Sequence, residues 1–262
     1  MILGICGGID DDAVKLVKDI GYRYIETWLP NLCGEANREK YTGFLKALDK
    51  HKMRCEVGQF AFPGEYNPEG KQTREALEKI RENVYNMLDA TSDLCIERVV
   101  IGGGGARFLP SPGKYFNALE QCAEILKYAV SPALSDFGVI ATVEPLVKGE
   151  TPLINTTAEG VHVARLANRA NIKVMVDLYH AGNEDKNFDD FAKYKGYILH
   201  SHMGKPQPRV HPSPDDGHDY APFFAALRSA GFNGRMSLEA GSSCPDYKAS
   251  LENAFKVLEP LL

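Results

Sequence analysis

Eight short apolar runs alternate with amphipathic stretches along the chain, and each change of period marks a strand followed by a helix. The pattern predicts strands at about Ile2–Cys6, Tyr24–Glu26, Arg54–Gly58 and Arg98–Ile101. Four more end at Glu144, Asp177, His202 and Glu239. The intervening helices are predicted from Asp10 to Ile20 and over about Arg38–His51, Thr73–Leu88, Gly113–Ser135, Thr157–Asn168, Phe188–Lys195, Ala221–Ala230 and Asp246–Leu258. Their boundaries carry local signals. Asp10, Asp11 and Asp12 suit a helix N-terminus, Gly21 and Gly231 suit stops, and Tyr41, Phe44, Leu45 and Leu48 share one helical face. Eight such units of about 33 residues each predict an α/β protein built as a single (β/α)8 TIM barrel over residues 1–262.

Composition narrows the class without changing the fold. The chain is 44% hydrophobic and 25% charged, as expected of a globular protein. Its net charge of −5, from 30 basic and 35 acidic residues, leaves no basic surplus to neutralise phosphates, so no nucleic-acid or anionic-membrane partner is expected. Cys6, Cys33, Cys55, Cys95, Cys122 and Cys244 are scattered with no CxxC pair, and four of them lie in apolar segments where a reduced thiol is the ordinary reading. Met1–Gly7 lacks the basic and apolar regions of a secretion signal, and no run approaches the roughly 18 apolar residues of a membrane span. The expectation is a cytoplasmic enzyme, with a homo-oligomer compatible with the sequence.

The chemistry concentrates at four strand ends. Parallel strands with helical crossovers bring their C-terminal ends to one face. Glu144, Asp177, His202 and Glu239 would therefore converge there. Three crowded carboxylates are unfavourable unless a cation sits among them. The alternative is that each acid only caps the helix after it. His180, three residues past Asp177, is expected at the pocket mouth. Glu150 and Arg209, in the loops after strands five and seven, are either pocket residues or solvated charges. His200 shares the parity of His202 one layer deeper, which suits a supporting or core histidine. His51 and His162 are expected on outer helix faces. Gly102–Gly105 lacks the spacing of a phosphate-binding loop and suits close backbone approach to a ligand, with Arg107 beyond it.

These residues resemble a known family. Glu144-Pro145, Asp177-x-x-His180, His200-Ser201-His202 and Ser237-Leu238-Glu239 look like the xylose isomerase-like superfamily of sugar isomerases and epimerases, and most like the ketose 3-epimerases that act on D-tagatose and D-allulose. The resemblance runs through the whole chain in unit order. It implies that Glu144, Asp177, His202 and Glu239 hold a Mn²⁺-type ion, and that Glu150, His180 and Arg209 contact substrate. Arg209 follows His202 by seven residues, one more than that pattern has. Glu26, Trp28, Glu56 and Phe60 would match pocket-wall positions. The superfamily also holds the DNA-repair enzyme endonuclease IV, and Asp216-Gly217-His218 looks like one of its zinc-ligand pairs. That enzyme needs histidines where this chain has Gln59, Phe60 and Gly102–Gly105, so DNA repair is not expected.

Oxygen-rich ligation with one imidazole suits Mn²⁺ first, with Mg²⁺, Co²⁺ or Zn²⁺ as alternatives. The expected reaction is epimerisation or isomerisation of a ketose by proton transfer through a metal-stabilised ene-diolate. Glu144 and Glu239 are the candidate acid and base, reaching the carbon from opposite faces. A dehydratase or lyase on a keto-sugar or inositol-like substrate would use the same ligands. A non-catalytic, metal-dependent sugar-binding subunit would not need both glutamates.

Overall fold

The computed structural model describes residues 1–103, 107, 112–185 and 187–262. Eight parallel strands close on themselves in chain order: β1 (Ile2–Cys6), β2 (Ile25–Trp28), β3 (Cys55–Ala61), β4 (Arg98–Gly102), β5 (Ile140–Val143), β6 (Ile172–Asp177), β7 (Ile198–Met203) and β8 (Arg235–Leu238). Closure comes from β1 pairing with β8, Ile2 opposite Arg235 and Ile5 opposite Leu238. Helices α1 (Asp11–Ile20), α2 (Arg38–His51), α3 (Arg74–Ala90), α4 (Tyr115–Ile125), α5 (Ser131–Ser135), α6 (Thr157–Ala167), α7 (Leu178–Glu184), α8 (Ala221–Ser229) and α9 (Tyr247–Leu258) make the crossovers. This is the (β/α)8 architecture that the alternating periods predict.

Local chemistry explains the helix starts. Asp10 caps α1 by accepting from the Ala13 N–H, Thr73 caps α3, and Thr156 with Glu159 forms a reciprocal capping box on α6. Two layers of apolar side chains hold the assembly. The larger packs strand residues such as Ile25, Val99, Val143 and Val174 against helix residues such as Val14, Phe44, Leu126 and Phe224. A separate small cluster of Tyr24, Val57, Val100 and Met175 comes from the strands and fills the barrel.

Several boundaries differ from the sequence pattern. β2 and β3 run further toward the C-terminal face, to Trp28 and Ala61, where the ladder continues with Trp28 opposite Gln59 and Ala61 opposite Gly102. The helix predicted over Gly113–Ser135 is α4 and α5 joined by one wide turn, Leu126–Val130, in which the Ser131 N–H bonds Leu126 O. Pro132 has no N–H for the regular ladder, so the turn widens just before it. The predicted helix Phe188–Lys195 is a tighter 3₁₀ turn over Asp189–Tyr194, and α7 precedes it unforeseen. Gly104 and Gly105 lie outside the described residues. All six cysteines are unpaired, and only Cys55 and Cys122 are fully buried. Among the described residues no helix is long and apolar enough to cross a membrane.

Candidate metal and substrate site

His202, near the end of β7, is completely buried and points into the barrel mouth. Its Nδ1 lies 3.1 Å from Glu239 Oε2 and 3.5 Å from Glu144 Oε1. Glu144 stands one residue past β5, Asp177 is the last residue of β6, and Glu239 stands one residue past β8. Each of the four offers a ligand atom, all within 4.8 Å of one another. The strand ends thus bring together the four residues that the spacing singled out.

The capping alternative holds in part, for Asp177. Its Oδ1 accepts from the Tyr179 N–H and caps α7, while Oδ2 faces the cluster and accepts from Arg209 Nη2 at 2.6 Å. One carboxylate therefore serves both the helix and the site. The same Arg209 nitrogen donates to Glu239 Oε2 at 2.6 Å, and its guanidinium lies 4.7 Å from the Tyr179 ring. Gly102 makes room for the neighbouring acid, since a Cβ there would collide with Glu144 Oε2.

A cavity of about 160 Å³ opens above this cluster, lined by Glu144, Glu239, Glu150, His180 and Arg209 together with Trp28 and Gln59. The three residues expected to touch substrate thus share one wall with two of the candidate ligands. Burial pushes the His180 ring down to about 4, so it is neutral near pH 7. Its Nδ1 accepts from the Val147 N–H at 3.1 Å, which leaves the proton on Nε2, 3.8 Å from both Glu144 Oε1 and Asp177 Oδ2. Glu150 lies on the exposed side, and partial burial raises its carboxyl. Burial would raise Glu239, but His202 and Arg209 outweigh it and hold that carboxyl down to about 2.

Beneath the cluster lies a residue whose role the pattern did not reveal. Glu26, fully buried, receives His202 Nε2 on Oε1 and His200 Nε2 on Oε2, each at 2.8 Å. Gln59 Nε2 reaches Glu26 Oε1 at 2.7 Å and Glu239 Oε1 at 3.1 Å. Ser237 Oγ donates to Glu26 Oε2 and is bonded in turn by Tyr24 Oη at 2.7 Å. The available signal was parity: Glu26 follows inward-facing Tyr24 by two residues.

Other expectations need correction. Glu26 is an interior residue rather than a pocket wall. Glu56 pairs with Arg235 and Arg54 at the opposite, N-terminal end of the barrel, because it sits at the start of β3. Phe60 packs outward into the core. Trp28 does line the cavity. Arg107 is buried and donates to the main-chain oxygen of Glu144 at 2.8 Å instead of facing the cavity. His51 and His162 lie on outer helices as expected, His51 bonded to Asp11 of α1 at 2.9 Å and His162 exposed. The Asp216 carboxylate is occupied by the Ser213 and His218 N–H groups and the Tyr220 hydroxyl, so it closes its own loop. Neither candidate metal group among the described residues includes Asp216 or His218. His211 is buried against Ser250 Oγ at 2.8 Å.

The cluster fits a divalent cation on one particular observation. His202 Nδ1 is buried and has no hydrogen-bond partner among the described residues, yet it is aimed between two carboxylates. One imidazole nitrogen among three carboxylates is the donor set of a hard or borderline cation. The second group, Cys6 with Glu26 and His202, is less suited, because four donors already fill the Glu26 oxygens.

A closed parallel barrel with a carboxylate–imidazole cluster at its C-terminal face places the chain among the barrel proteins that carry their sites on strand-end residues. More particularly, residues 14–261 match the family described as xylose isomerase-like TIM barrel, and the chain belongs to it. It is 30% identical over 129 residues to a D-psicose 3-epimerase of Agrobacterium fabrum, a stretch that covers 48% of this chain and 42% of that protein. The matched stretch thus spans less than half the length of that relative. Among solved structures, D-allulose 3-epimerase from Methylomonas sp. in complex with D-allulose superposes with a TM-score of 0.80 over 100% of this chain and 97% of that one. A 3-keto-D-glucoside 4-epimerase from E. coli gives 0.79 over 99% of each chain. Both are 17% identical, so these likenesses are of fold.

Proposed function

We propose that this protein is a divalent-cation-dependent epimerase that inverts a carbon next to the carbonyl of a ketose or related keto-sugar. The observation that carries the reading is the placement of two carboxylates, Glu144 and Glu239, on either side of His202 Nδ1 and on the wall of one cavity. The sugar epimerases similar in sequence and fold support the substrate class. Glu144, Asp177, His202 and Glu239 would hold the cation, with Mn²⁺ the best match to three carboxylates and one imidazole. Such an ion supplies Lewis acidity that acidifies the C–H beside a carbonyl.

The chain's own residues supply the rest. Glu144 and Glu239 come from the ends of β5 and β8, three strand positions apart, so they can approach the reacting carbon from opposite faces. One glutamate takes the proton and the other returns one, which inverts the centre. His180 Nε2–H donates to a substrate oxygen that gains charge as the proton leaves, and its neutral ring does not compete for that charge. Glu150 accepts from a sugar hydroxyl, and Arg209 donates to another.

The test is proton exchange. With Mn²⁺ and a panel that includes D-allulose, D-tagatose and a 3-keto-glucoside, the protein should epimerise one substrate and place solvent deuterium at the inverted carbon. Loss of a leaving group instead would favour the lyase reading. Binding of a sugar without exchange would favour a non-catalytic subunit.

A further inference from the structure

The interior of the barrel carries a second carboxylate centre that the acid–base chemistry does not use. Glu26 has two oxygens and four incoming donors: His202 Nε2 and Gln59 Nε2 on Oε1, and His200 Nε2 and Ser237 Oγ on Oε2. A carboxylate offers about four acceptor positions, and a protonated carboxyl would have to give up one of them. All four are occupied here, the arrangement that an ionised carboxylate satisfies with both histidines donating through Nε2. The two bonds to it from histidine are 2.8 Å long and completely buried, the regime in which charge-assisted hydrogen bonds are strong and directional. Ser237 donates to Glu26, so its oxygen receives the Tyr24 hydroxyl, and this outer link holds the carboxylate from the side away from His202.

This arrangement decides which nitrogen of His202 carries a proton. An imidazole can ligate a cation only through a nitrogen that has none. Nε2 is the nitrogen bonded to Glu26, and Nδ1, facing Glu144 and Glu239, is the one that would give up its proton to a cation. Gln59 extends the control to a second ligand, since its one amide nitrogen donates to both Glu26 and Glu239.

We infer that Glu26 is a positioning residue: it fixes the tautomer and ring orientation of His202 so that Nδ1 is presented to the cation, and through Gln59 it holds Glu239 in the same frame. The inference rests on the cation-site reading given above. Carboxylate partners of ligating histidines are worth roughly 10–100-fold in metal affinity.

The experiment combines a tautomer measurement with a binding measurement. Protein labelled with ¹⁵N-histidine, metal-free and loaded with diamagnetic Zn²⁺, is read by long-range ¹H–¹⁵N spectra, with the His202 signals assigned by their loss in His202→Gln. The wild type should show a strongly downfield proton on Nε2 in both states and, with Zn²⁺, no proton on Nδ1. In Glu26→Gln an amide NH₂ must face two donors, so the downfield proton should vanish and Mn²⁺ affinity, measured by calorimetry, should fall about 10–100-fold. Ser237→Ala, which removes an outer donor but leaves the Glu26–His202 bond in place, should keep the downfield proton and lose less affinity than Glu26→Gln. A folded Glu26→Gln protein that binds Mn²⁺ as the wild type does would overturn the inference. If Glu26→Gln does not fold, the wild-type spectra decide: a proton on Nε2, with Nδ1 bare once Zn²⁺ is bound, supports it, and a bare Nε2 overturns it. A wild type that binds no cation sinks the cation reading, while its metal-free spectrum judges the Glu26–His202 bond separately by the same Nε2 proton.

Discussion

Arg209 reaches back across the cavity to Asp177, its Nη2 lying 2.6 Å from Oδ2. The same nitrogen touches Glu239, so one guanidinium neutralises part of a cluster whose carboxylates would otherwise repel. These acids raise the Arg209 guanidinium further, although burial alone would lower it. The side chain that the sequence marks as a substrate contact thus also acts as a resident counter-ion.

Replacing Arg209 by Gln should therefore weaken the metal-free protein and increase its gain from metal. Losing charge-assisted hydrogen bonds costs about 2 kcal/mol in a partly buried setting. Melting in chelator should fall accordingly, and the upward shift on adding Mn²⁺ should exceed that of the wild type, because a ligand of the folded state stabilises by mass action. Equal Mn²⁺ shifts in the two proteins would refute the counter-ion role.

Glu144→Gln and Glu239→Gln each keep an oxygen that can ligate while removing a proton carrier. Turnover should drop by about 10²–10⁴-fold, with metal content falling less. Asp177→Asn separates the roles differently. Asn still caps α7 well, so the fold should survive while Mn²⁺ affinity drops and part of the activity returns at high metal concentration. Near-normal turnover in both glutamine variants would rule out the two-base scheme.

Gly102→Ala should act on function more than on stability. The added Cβ meets the tip of Glu144 rather than backbone, so the carboxylate can swing away without unfolding β4. Misplacing a reacting group by about 1 Å can cost roughly 10²-fold. The expected result is a near-normal melting temperature with strongly reduced turnover and weaker Mn²⁺ binding. A fully active alanine variant would show that Glu144 does not need the position seen.

Two buried histidines, His211 and His180, set an acid limit. Burial lowers His211 from the usual 6.5 to about 4. Between those values the unfolded chain binds a proton that the folded one does not, so stability rises with pH there and is lost as pH falls from 6.5 toward 4. His180 is lowered by burial to about the same value and adds to the slope. His211 is not one of the four cation-cluster residues, and His211→Gln should flatten the melting curve against pH between pH 4 and 6.5. An unchanged slope would show that His211 does not remain neutral in the fold.

The barrel was readable because its two periods are local properties. A run such as Ile172–Asp177 is short, apolar and bounded whatever surrounds it, and an acid at its end faces the barrel mouth in any closed parallel sheet. α7 was hidden for a local reason as well. Leu178–Glu184 is short, contains Gly182 and has no clear apolar period, and its start depends on Asp177, which reads equally well as a ligand.

By itself, the sequence determined the fold class, the order of the units and the four side chains that meet at the strand ends, since these follow from spacing along one strand at a time. The tertiary structure decided what spacing cannot carry. Glu26 on β2 meets His200 and His202 on β7 only because β1 and β8 pair and close the ring, bringing residues 174 and 176 positions apart into hydrogen-bond contact across the interior. It decided likewise that Arg209 turns inward onto Asp177, while Glu56 on β3, an acid of the same kind, is held at the far end by Arg235. The reason is geometric: strand periodicity sets which way a side chain points, and barrel closure sets which partner stands opposite it.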